Sequence, residues 1–272
     1  MLLAIDVGNT NTVIGLFQAS KLLRSWRLTT VAHQTVDEYG ILFRNLLEPA
    51  GIKAQQVQSA ILSCVVPPLQ ETLRKMCWDV FGLRALVVGP GIKTGIALKV
   101  DHPQEVGADR IVNGIAAFEE YGGPCIVVDF GTATTFDPIS AEGAFLGGAI
   151  APGLSISADA LYHAAAKLPR VDLHKPRRVI GKNTVENIQS GLFYGYLGLV
   201  DGILAAMIEE MGGEPKVIAT GGLGALFHGN SRFIQHYNND LTLVGLRFIH
   251  ERNPVEGLGI QLNRRLSDSI EI

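Results

Sequence analysis

The chain has 272 residues, of which 47% are hydrophobic, and a formal net charge of −3 at pH 7. This length allows one or two domains, and the hydrophobic content excludes a disordered chain. The small negative charge and the lack of a block of lysines and arginines argue against a surface that binds nucleic acid. Three widely spaced cysteines in apolar sequence favour reduced thiols, and the N-terminus lacks a basic leader. We therefore expect a cytoplasmic protein.

The first part of the chain predicts a meander of three strands followed by helices that alternate with strands. We expect strands at 2–7, 12–17 and 22–28, and a helix at 36–47 that ends before Pro49 and Gly51. A strand at 60–66, a helix at 67–78, a strand at 85–88 and a helix at 104–121 follow. This alternation is typical of an α/β protein.

The pattern restarts after residue 121. We expect strands at 125–129, 134–139, 144–150 and 216–219, with helices between them. The segments "LLAIDVGNTNT" and "CIVVDFGTATT" share an apolar strand, an aspartate (Asp6 or Asp129), one residue, a glycine and a polar residue. Chance could produce this likeness, but the matching meander favours an internal duplication. We predict two domains, residues 1–121 and 122–272.

One apolar segment, residues 188–208, is long enough to span a bilayer and contains a single charge, Asp201. Its glycines, at 191, 195, 198 and 202, line one stripe of a helix. Such a stripe is typical of a membrane dimer face, or of a helix packed against a sheet or a second subunit. A single spanning helix has no evident role among so many short strands. We therefore expect a buried, closely packed helix and no membrane.

The two aspartate turns have the composition of a site for phosphates and a cation. Backbone N–H groups at Gly8 and Gly131 can approach phosphate oxygens closely, and the small polar side chains beside them can donate hydrogen bonds. Asp6 and Asp129 would repel phosphate unless a metal lies between, and Mg²⁺ is usually held by one or two carboxylates, water and phosphate. The alternative is that these residues satisfy turns only.

Two further segments carry candidate chemistry. "PQEVGADRIVNGIAA" places Asp109 and Arg110 at the start of a helix, where adjacent residues project about 100° apart and cannot form an i, i+4 pair. A carboxylate beside a guanidinium suits a general base and an anion clamp. "ATGGLG", residues 219–224, follows a strand and is typical of a turn over a nucleotide, although a left-handed turn explains it nearly as well.

Taken together and in this order, "DVGNTNT", "EVGADRIVNGIAA", "VVDFGTATTFD", "GGAIAPG", "KNTVENIQSG" and "ATGGLG" resemble the type III pantothenate kinases. These enzymes belong to the acetate and sugar kinase/actin-like ATPase superfamily. The resemblance implies an α/β, duplicated ribonuclease H-like fold with ATP in the cleft between two similar halves. The implied reaction transfers the γ-phosphate of ATP to pantothenate, the first step of coenzyme A biosynthesis.

The resemblance also implies residue roles. The ATP site would comprise Asp6, Val7, Gly8, Asn9, Thr10, Asn11, Thr12, Val13 and Thr132, with Asp6 acting on Mg²⁺ through phosphate or water. The pantothenate site would comprise Gly107, Ala108, Asp109, Arg110 and Thr184, with Asp109 as the catalytic proton acceptor. Asp129 would bind a monovalent cation, K⁺ or NH₄⁺. The family forms homodimers, which gives the glycine stripe a use.

One position departs from the family pattern, and rival functions stay open. Many members carry a tyrosine where this chain has Val100, so we assign no pantothenate contact there. One alternative is a kinase for another small acid or sugar. Another is a catalytically silent relative that acts as a regulatory or transcription accessory protein; the presence of all three aspartates argues against it.

Overall fold

The computed structural model describes residues 1–254, and these form two compact units, each with its own β-sheet. Among the described residues, unit 1 comprises Met1–Gly95, Val106–Val112 and residues 242–254. Unit 2 comprises Ile96–Glu105 and Asn113–Leu241. The division into related halves at residue 121 remains a prediction. The compact units have other limits, because the chain enters unit 2 before that residue and returns to unit 1 near its last helix.

The described elements, in chain order, are β1 (Leu2–Val7), β2 (Asn11–Gln18), β3 (Lys21–Thr29), α1 (Val36–Leu47), β4 (Ser59–Cys64), α2 (Pro67–Phe81), β5 (Leu86–Val87), β6 (Ala97–Leu98), α3 (Ala108–Tyr121), β7 (Cys125–Phe130), β8 (Ala133–Ile139), β9 (Ala144–Phe145), β10 (Ala149–Pro152), α4 (Leu154–Ala164), α5 (Thr184–Met211), β11 (Lys216–Thr220), α6 (Gly224–Phe227), β12 (His236–Tyr237) and α7 (Leu241–Arg252). The mixture of strands and helices confirms the α/β prediction.

The sheet of unit 1 has the order β3-β2-β1-β4-β5. β1 pairs with β2 in the antiparallel direction and with β4 in the parallel direction. Because β1 is central, its first four residues are buried and read as a continuous apolar run. The helices α1 and α2 cover this sheet with large apolar side chains, among them Tyr39, Phe43, Leu69 and Leu73.

The ends of α1 and α2 follow from local sequence. Thr35 and Glu38 form a capping box: Thr35 Oγ1 accepts from the Glu38 N–H at 3.3 Å, and Glu38 Oε2 accepts from the Thr35 N–H at 2.7 Å. Pro67 begins α2, where its missing N–H has no helical partner to lose. Gly82 ends it with φ of 69°, a left-handed conformation that glycine adopts without strain. Both helices thus begin where the sequence predicts.

Unit 2 repeats the arrangement of unit 1. β7 pairs with β8 in the antiparallel direction and with β11 in the parallel direction, as β1 does with β2 and β4. Asp6 and Asp129 are each the next-to-last residue of their strand, half-buried between buried neighbours. The two strands have the same order of buried and half-buried positions. This equivalence confirms the predicted duplication.

Two predicted elements need correction. The strand expected at 144–150 is two strands, β9 and β10, because Gly147 and Gly148 have φ of 111° and 152° and turn the chain between them. The helix expected at 104–121 begins only at Ala108, after a short 3₁₀ turn at Pro103–Glu105. Pro103 is the first residue of that turn and Gly107 directly precedes Ala108. Neither residue favours a helix interior, so the helix begins after them.

The long helix α5 is only partly buried, which corrects the expectation of a closely packed glycine stripe. Phe193, Tyr196, Val200 and Leu204 form its buried face. On the other face, a Cβ added at any of the four glycines (Gly191, Gly195, Gly198 and Gly202) would meet no atom within 4 Å. By length and composition α5 would suit a membrane span, and it is the one such helix among residues 1–254. Its buried face instead contributes to the core of unit 2.

Candidate active site

The first aspartate turn of unit 1 joins β1 to β2. The Gly8 N–H donates to the Asn11 carbonyl at 3.0 Å, and a Cβ at Gly8 would lie 3.1 Å from that oxygen. Asn9 and Thr10 are exposed, and Asn11 and Val13 are half-buried. The tip of the turn is therefore exposed to solvent, and a ligand at this turn stays a prediction.

Thr12 lies differently from its neighbours in this turn. Its side chain is fully buried, and its Oγ1 is 2.9 Å from Thr30 Oγ1. The Thr30 N–H in turn donates to the Thr10 carbonyl at 2.9 Å. Thr12 thus fixes the start of β2 against the segment after β3. A contact between the Thr12 hydroxyl and ATP stays a prediction.

The parallel neighbour of β1 brings a cysteine to Asp6. In the register of β1 and β4, Asp6 lies opposite Ser63, and Val7 lies opposite Cys64. The Cys64 thiol donates to the Val66 carbonyl at 3.1 Å. Burial raises the pKa of this half-buried thiol, and the negative charge of Asp6 raises it further. The sequence alone did not reveal this neighbour, because it depends on which strand pairs with β1.

The Asp109–Arg110 pair lies in the first turn of α3. Asp109 Oδ1 accepts from the Arg110 backbone N–H at 2.9 Å, so the carboxylate turns back toward the start of the helix. A Cβ at Gly107 would lie 2.5 Å from the same oxygen, which means that this position must be small. The N-terminal end of a helix favours a negative charge. Gly107, Ala108, Asp109 and Arg110 are all half-buried.

The second aspartate turn, in unit 2, joins β7 to β8. Asp129 Oδ2 accepts from Asn113 Nδ2 at 3.0 Å, and Asn113 is 1% exposed. The turn of the "ATGGLG" segment lies against the same carboxylate, because a Cβ at Gly221 would be 2.6 Å from Asp129 Oδ1 and 2.7 Å from the Phe130 carbonyl. Gly221 has φ of 84°. The third glycine element therefore lies directly against the carboxylate of Asp129.

Gly153, the last residue of "GGAIAPG", packs on the Gly131–Thr132 turn. Its N–H donates to the Thr132 carbonyl at 3.1 Å, and a Cβ there would lie 2.3 Å from that oxygen and 2.6 Å from the Gly131 carbonyl. Thr132 is exposed. Asn113 and Gly153 are contacts that sequence reasoning did not assign, although both lie in motifs that it singled out.

Thr184, the remaining predicted substrate residue, is exposed as the first residue of α5. The helix is capped just before it, since Asn183 Oδ1 accepts from the Glu186 N–H at 2.9 Å. Val100 is the position where the family pattern differs. Its Cγ1 lies 3.8 Å from where a Cβ of Gly147 would be. Thr184 and Val100 both belong to unit 2, whereas Gly107–Arg110 belong to unit 1.

The donor set fits a metal held largely by substrate. Among residues 1–254 no three or more His, Cys, Asp or Glu side chains are grouped so that they could hold a metal ion. A divalent ion at a single carboxylate such as Asp6 would take its other ligands from phosphate and water, which is the usual coordination of Mg²⁺ in kinases. The residues therefore fit Mg²⁺ that is carried with a phosphate-bearing substrate.

Comparison with known sequences gives one consistent family. The family model described as type III pantothenate kinase matches residues 2–206. A protein of that description from Koribacter versatilis is 55% identical over 263 residues, covering 93% of this chain and 96% of its own length. One from Geobacter sulfurreducens is 52% identical over 253 residues, covering 93% of this chain and 99% of its own length.

Comparison with solved structures confirms the predicted fold class. A 2-dehydro-3-deoxygalactonokinase-like protein from Sinorhizobium meliloti superimposes with a TM-score of 0.58 at 13% identity, covering 96% of this chain and 100% of its own. A protein described as a Baf family transcriptional activator from Campylobacter jejuni gives 0.57 at 22% identity, covering 93% and 98%. At these identities the likeness extends to the fold alone.

Proposed function

Because the chain belongs to the type III pantothenate kinases, we propose that it transfers the γ-phosphate of ATP to the primary hydroxyl of pantothenate. The product is 4′-phosphopantothenate, and the reaction is the first step of coenzyme A biosynthesis. The observation that carries this proposal is the family match over residues 2–206, since it includes both aspartate turns and the Asp109–Arg110 segment.

ATP contacts are proposed at each of the two aspartate turns. In unit 1 the turn from Asp6 to Val13 binds phosphate through backbone N–H groups and through the exposed Asn9 and Thr10. In unit 2 the exposed Thr132 contacts the nucleotide, and Gly221 closes the turn beside Asp129. When bound, Mg²⁺ neutralises charge on the phosphates, and Asp6 is the residue that would hold it through phosphate or water.

Asp109 is proposed as the catalytic base. The transition state of phosphoryl transfer is loose, so orientation of the attacking hydroxyl and neutralisation of charge matter more than basicity. Asp109 Oδ1 is already bonded to the Arg110 N–H, which fixes the carboxylate before substrate arrives. Asp109 would orient the pantothenate hydroxyl and accept its proton late in the step.

The remaining pantothenate contacts are assigned to Gly107, Ala108, Arg110 and Thr184. The guanidinium of Arg110 can bind the carboxylate of pantothenate with two parallel hydrogen bonds, or stabilise charge on the transferred phosphate. Asp129 is proposed to bind K⁺ or NH₄⁺. Asn113 supports this role, because its amide occupies Asp129 Oδ2 and orients the carboxylate.

We also propose that the protein is a cytoplasmic homodimer that binds neither membrane nor nucleic acid. The exposed glycine stripe of α5 supports the homodimer, since it leaves a helix backbone open to close approach by a second copy. The exposed side chains of Val179, Ile180 and Val185 add apolar surface just before and at the start of the same helix.

The experiment that tests the function is a coupled assay for ADP release with ATP and Mg²⁺, with and without pantothenate, and with and without K⁺. We expect ADP release that depends on pantothenate. Acetate and hexoses assayed in parallel test the rival of a kinase for another small acid or sugar. If ADP release does not depend on any of these acceptors, the kinase proposal fails and a regulatory role becomes the better explanation.

A further inference from the structure

The helix α7 contacts two segments of unit 1 that carry proposed site residues. A Cβ at Gly245 would lie 2.2 Å from the Val112 carbonyl oxygen and 2.7 Å from Val112 Cγ1, so the backbone of α7 touches α3 directly. Leu243 Cδ1 lies 2.8 Å from where a Cβ of Gly15 in β2 would be. Gly245, Val112, Leu243 and Gly15 are all buried.

These two contacts lie on opposite sides of α7. Residues two apart on a helix project about 200° from each other, so Leu243 and Gly245 point in nearly opposite directions. α7 is therefore held between two segments. One is β2, which begins in the first aspartate turn, and the other is the start of α3, which carries Asp109 and Arg110. The thickness of α7 at this level sets how far apart those two segments lie.

The end of α7 is fixed as well. The Lys93 N–H donates to Asn253 Oδ1 at 3.0 Å, and Asn253 Nδ2 donates to the Lys93 carbonyl at 2.8 Å. Gly95, with φ of 83°, lies under the Arg252 side chain, since a Cβ there would be 2.6 Å from Arg252 Nε. Because α7 is anchored at its far end, a wider residue at 245 should displace α3 as well as α7.

We propose that Gly245 is a positioning residue for phosphoryl transfer. Only glycine at that point lets α7 hold the start of α3 at the correct distance from the first aspartate turn. Because Asp109 lies at the start of α3, its position depends on this contact. This inference rests on the proposed roles of Asp109 and of the turn. It concerns a residue far along the chain from either motif. A displacement of a catalytic group by about 1 Å can cost on the order of 100-fold in rate.

The test is Gly245→Ala, with Gly40→Ala as the matched control. Gly40 is also a buried glycine inside a helix of unit 1, but a Cβ there would meet only Val80 Cγ2, at 3.4 Å. We expect Gly245→Ala to lower kcat by about 10-fold to 100-fold. The rise in melting temperature on adding Mg·ATP should stay as in the wild type. Gly40→Ala should change kcat by less than about 2-fold.

A double-mutant cycle separates positioning from general damage. In an Asp109→Asn background, Gly245→Ala should lower kcat by no more than about 2-fold further, because the residue that it displaces is already inactive. If the full loss persists in that background, or if Gly245→Ala matches Gly40→Ala, the proposal is overturned. The wild-type assay separates these outcomes from failure of the proposed function, which would leave the wild type itself inactive.

A second variant decides the matter if Gly245→Ala does not fold. Val112→Ala removes the side-chain part of the same contact and loosens it instead of crowding it. We expect a lower kcat with an unchanged melting-temperature response to Mg·ATP. A folded Val112→Ala protein with the kcat of the wild type would contradict the proposal.

Discussion

At the scale of single residues, Asp6 and Asp109 have different surroundings, and their substitutions should have different effects on binding and on turnover. Asp109→Asn should leave Mg·ATP binding nearly intact and lower kcat by at least about 100-fold, as expected for loss of a general base. Asp6→Asn should instead weaken Mg·ATP, because its carboxylate is the one proposed to act on the metal. Steady-state kinetics and melting temperatures with and without Mg·ATP distinguish them. An Asp109→Asn enzyme that keeps most of its turnover would exclude Asp109 as the base.

Asp129 provides a second residue-scale prediction. Asp129→Ala should abolish or shift the dependence of activity on K⁺, because the carboxylate bonded to Asn113 is the proposed cation ligand. The change in melting temperature between KCl and choline chloride measures the same site without turnover. K⁺ activation that survives unchanged in the variant would show that the cation binds elsewhere.

Cys64 offers a test of whether Mg·ATP binds at the turn from Asp6 to Val13. Burial raises the pKa of Cys77 and of Cys125 to about 12, so both thiols should resist alkylation at pH 8 in the folded protein. Cys64 is half-buried beside Asp6, and we expect iodoacetamide to modify it first. Saturating Mg·ATP should slow that reaction several-fold, as followed by mass spectrometry, with Cys64→Ser as the control. An unchanged rate would argue against Mg·ATP at Asp6.

At the scale of elements, substitution in the glycine stripe of α5 should stabilise the single chain but weaken association with a second copy. A Cβ at Gly195 meets no atom within 4 Å in the single chain, so Gly195→Ala should stabilise an isolated helix by about 0.5–1 kcal/mol. In the proposed homodimer the added methyl group should weaken association. Sedimentation over a range of concentrations measures this, with Gly40→Ala as the control. A higher melting temperature with unchanged association would remove the stripe from the interface.

Elements that bury an apolar face were predictable, whereas contacts made through backbone were not. β1 and α1 follow from a buried apolar run and a capping box, so their limits agree with the sequence pattern. The division of residues 144–150 into two strands depends on the positive φ of Gly147 and Gly148. The packing of Gly153 on Thr132, and of Gly221 on Asp129, depends on which turns the sheet brings together. A glycine in a sequence does not reveal its neighbour.

The residues of the candidate site were likewise predictable only where the sequence pattern itself marked them. Asp6 and Asp129 were evident because the same pattern, an apolar strand followed by Asp, one residue and Gly, occurs twice and is followed each time by a meander. Asn113 and Cys64 were missed, since each acquires its partner through strand or helix packing instead of through chain neighbours. Gly245 lies outside every motif, and its closeness to Val112 follows only from the path of α7.

At the scale of the whole molecule, acid should lower stability in two stages. Burial lowers the pKa of His250 below its ordinary value of 6.5, so the unfolded chain binds the proton more readily. The contribution of His250 to the stability of the folded protein is therefore complete above pH 6.5. It is lost as the pH falls toward the pKa of His250 in the folded protein. The lowered pKa values of Glu38, Glu142 and Glu186, caused mainly by hydrogen bonds, add a second loss below their ordinary value of 4.5.

Melting temperatures between pH 8 and about pH 3 measure both stages. His250→Asn should flatten the decline that begins near pH 6.5, and the loss at lower pH should remain. The neighbouring Glu251 partly offsets the effect of burial on His250, so Glu251→Gln should steepen the first stage. A His250→Asn protein with the same pH profile as the wild type would assign the first stage to another group.

The place of α7 in unit 1 has a consequence for synthesis on the ribosome. Domains usually fold as units with the N-terminal one first. Here the first unit to emerge lacks the helix that lies against β2 and the start of α3, and it cannot be completed until residue 252 has been translated. Unit 2, made of residues 96–105 and 113–241, is fully translated earlier. The nascent chain thus finishes its second unit before its first, and until then the buried surface that α7 covers stays open to chaperones.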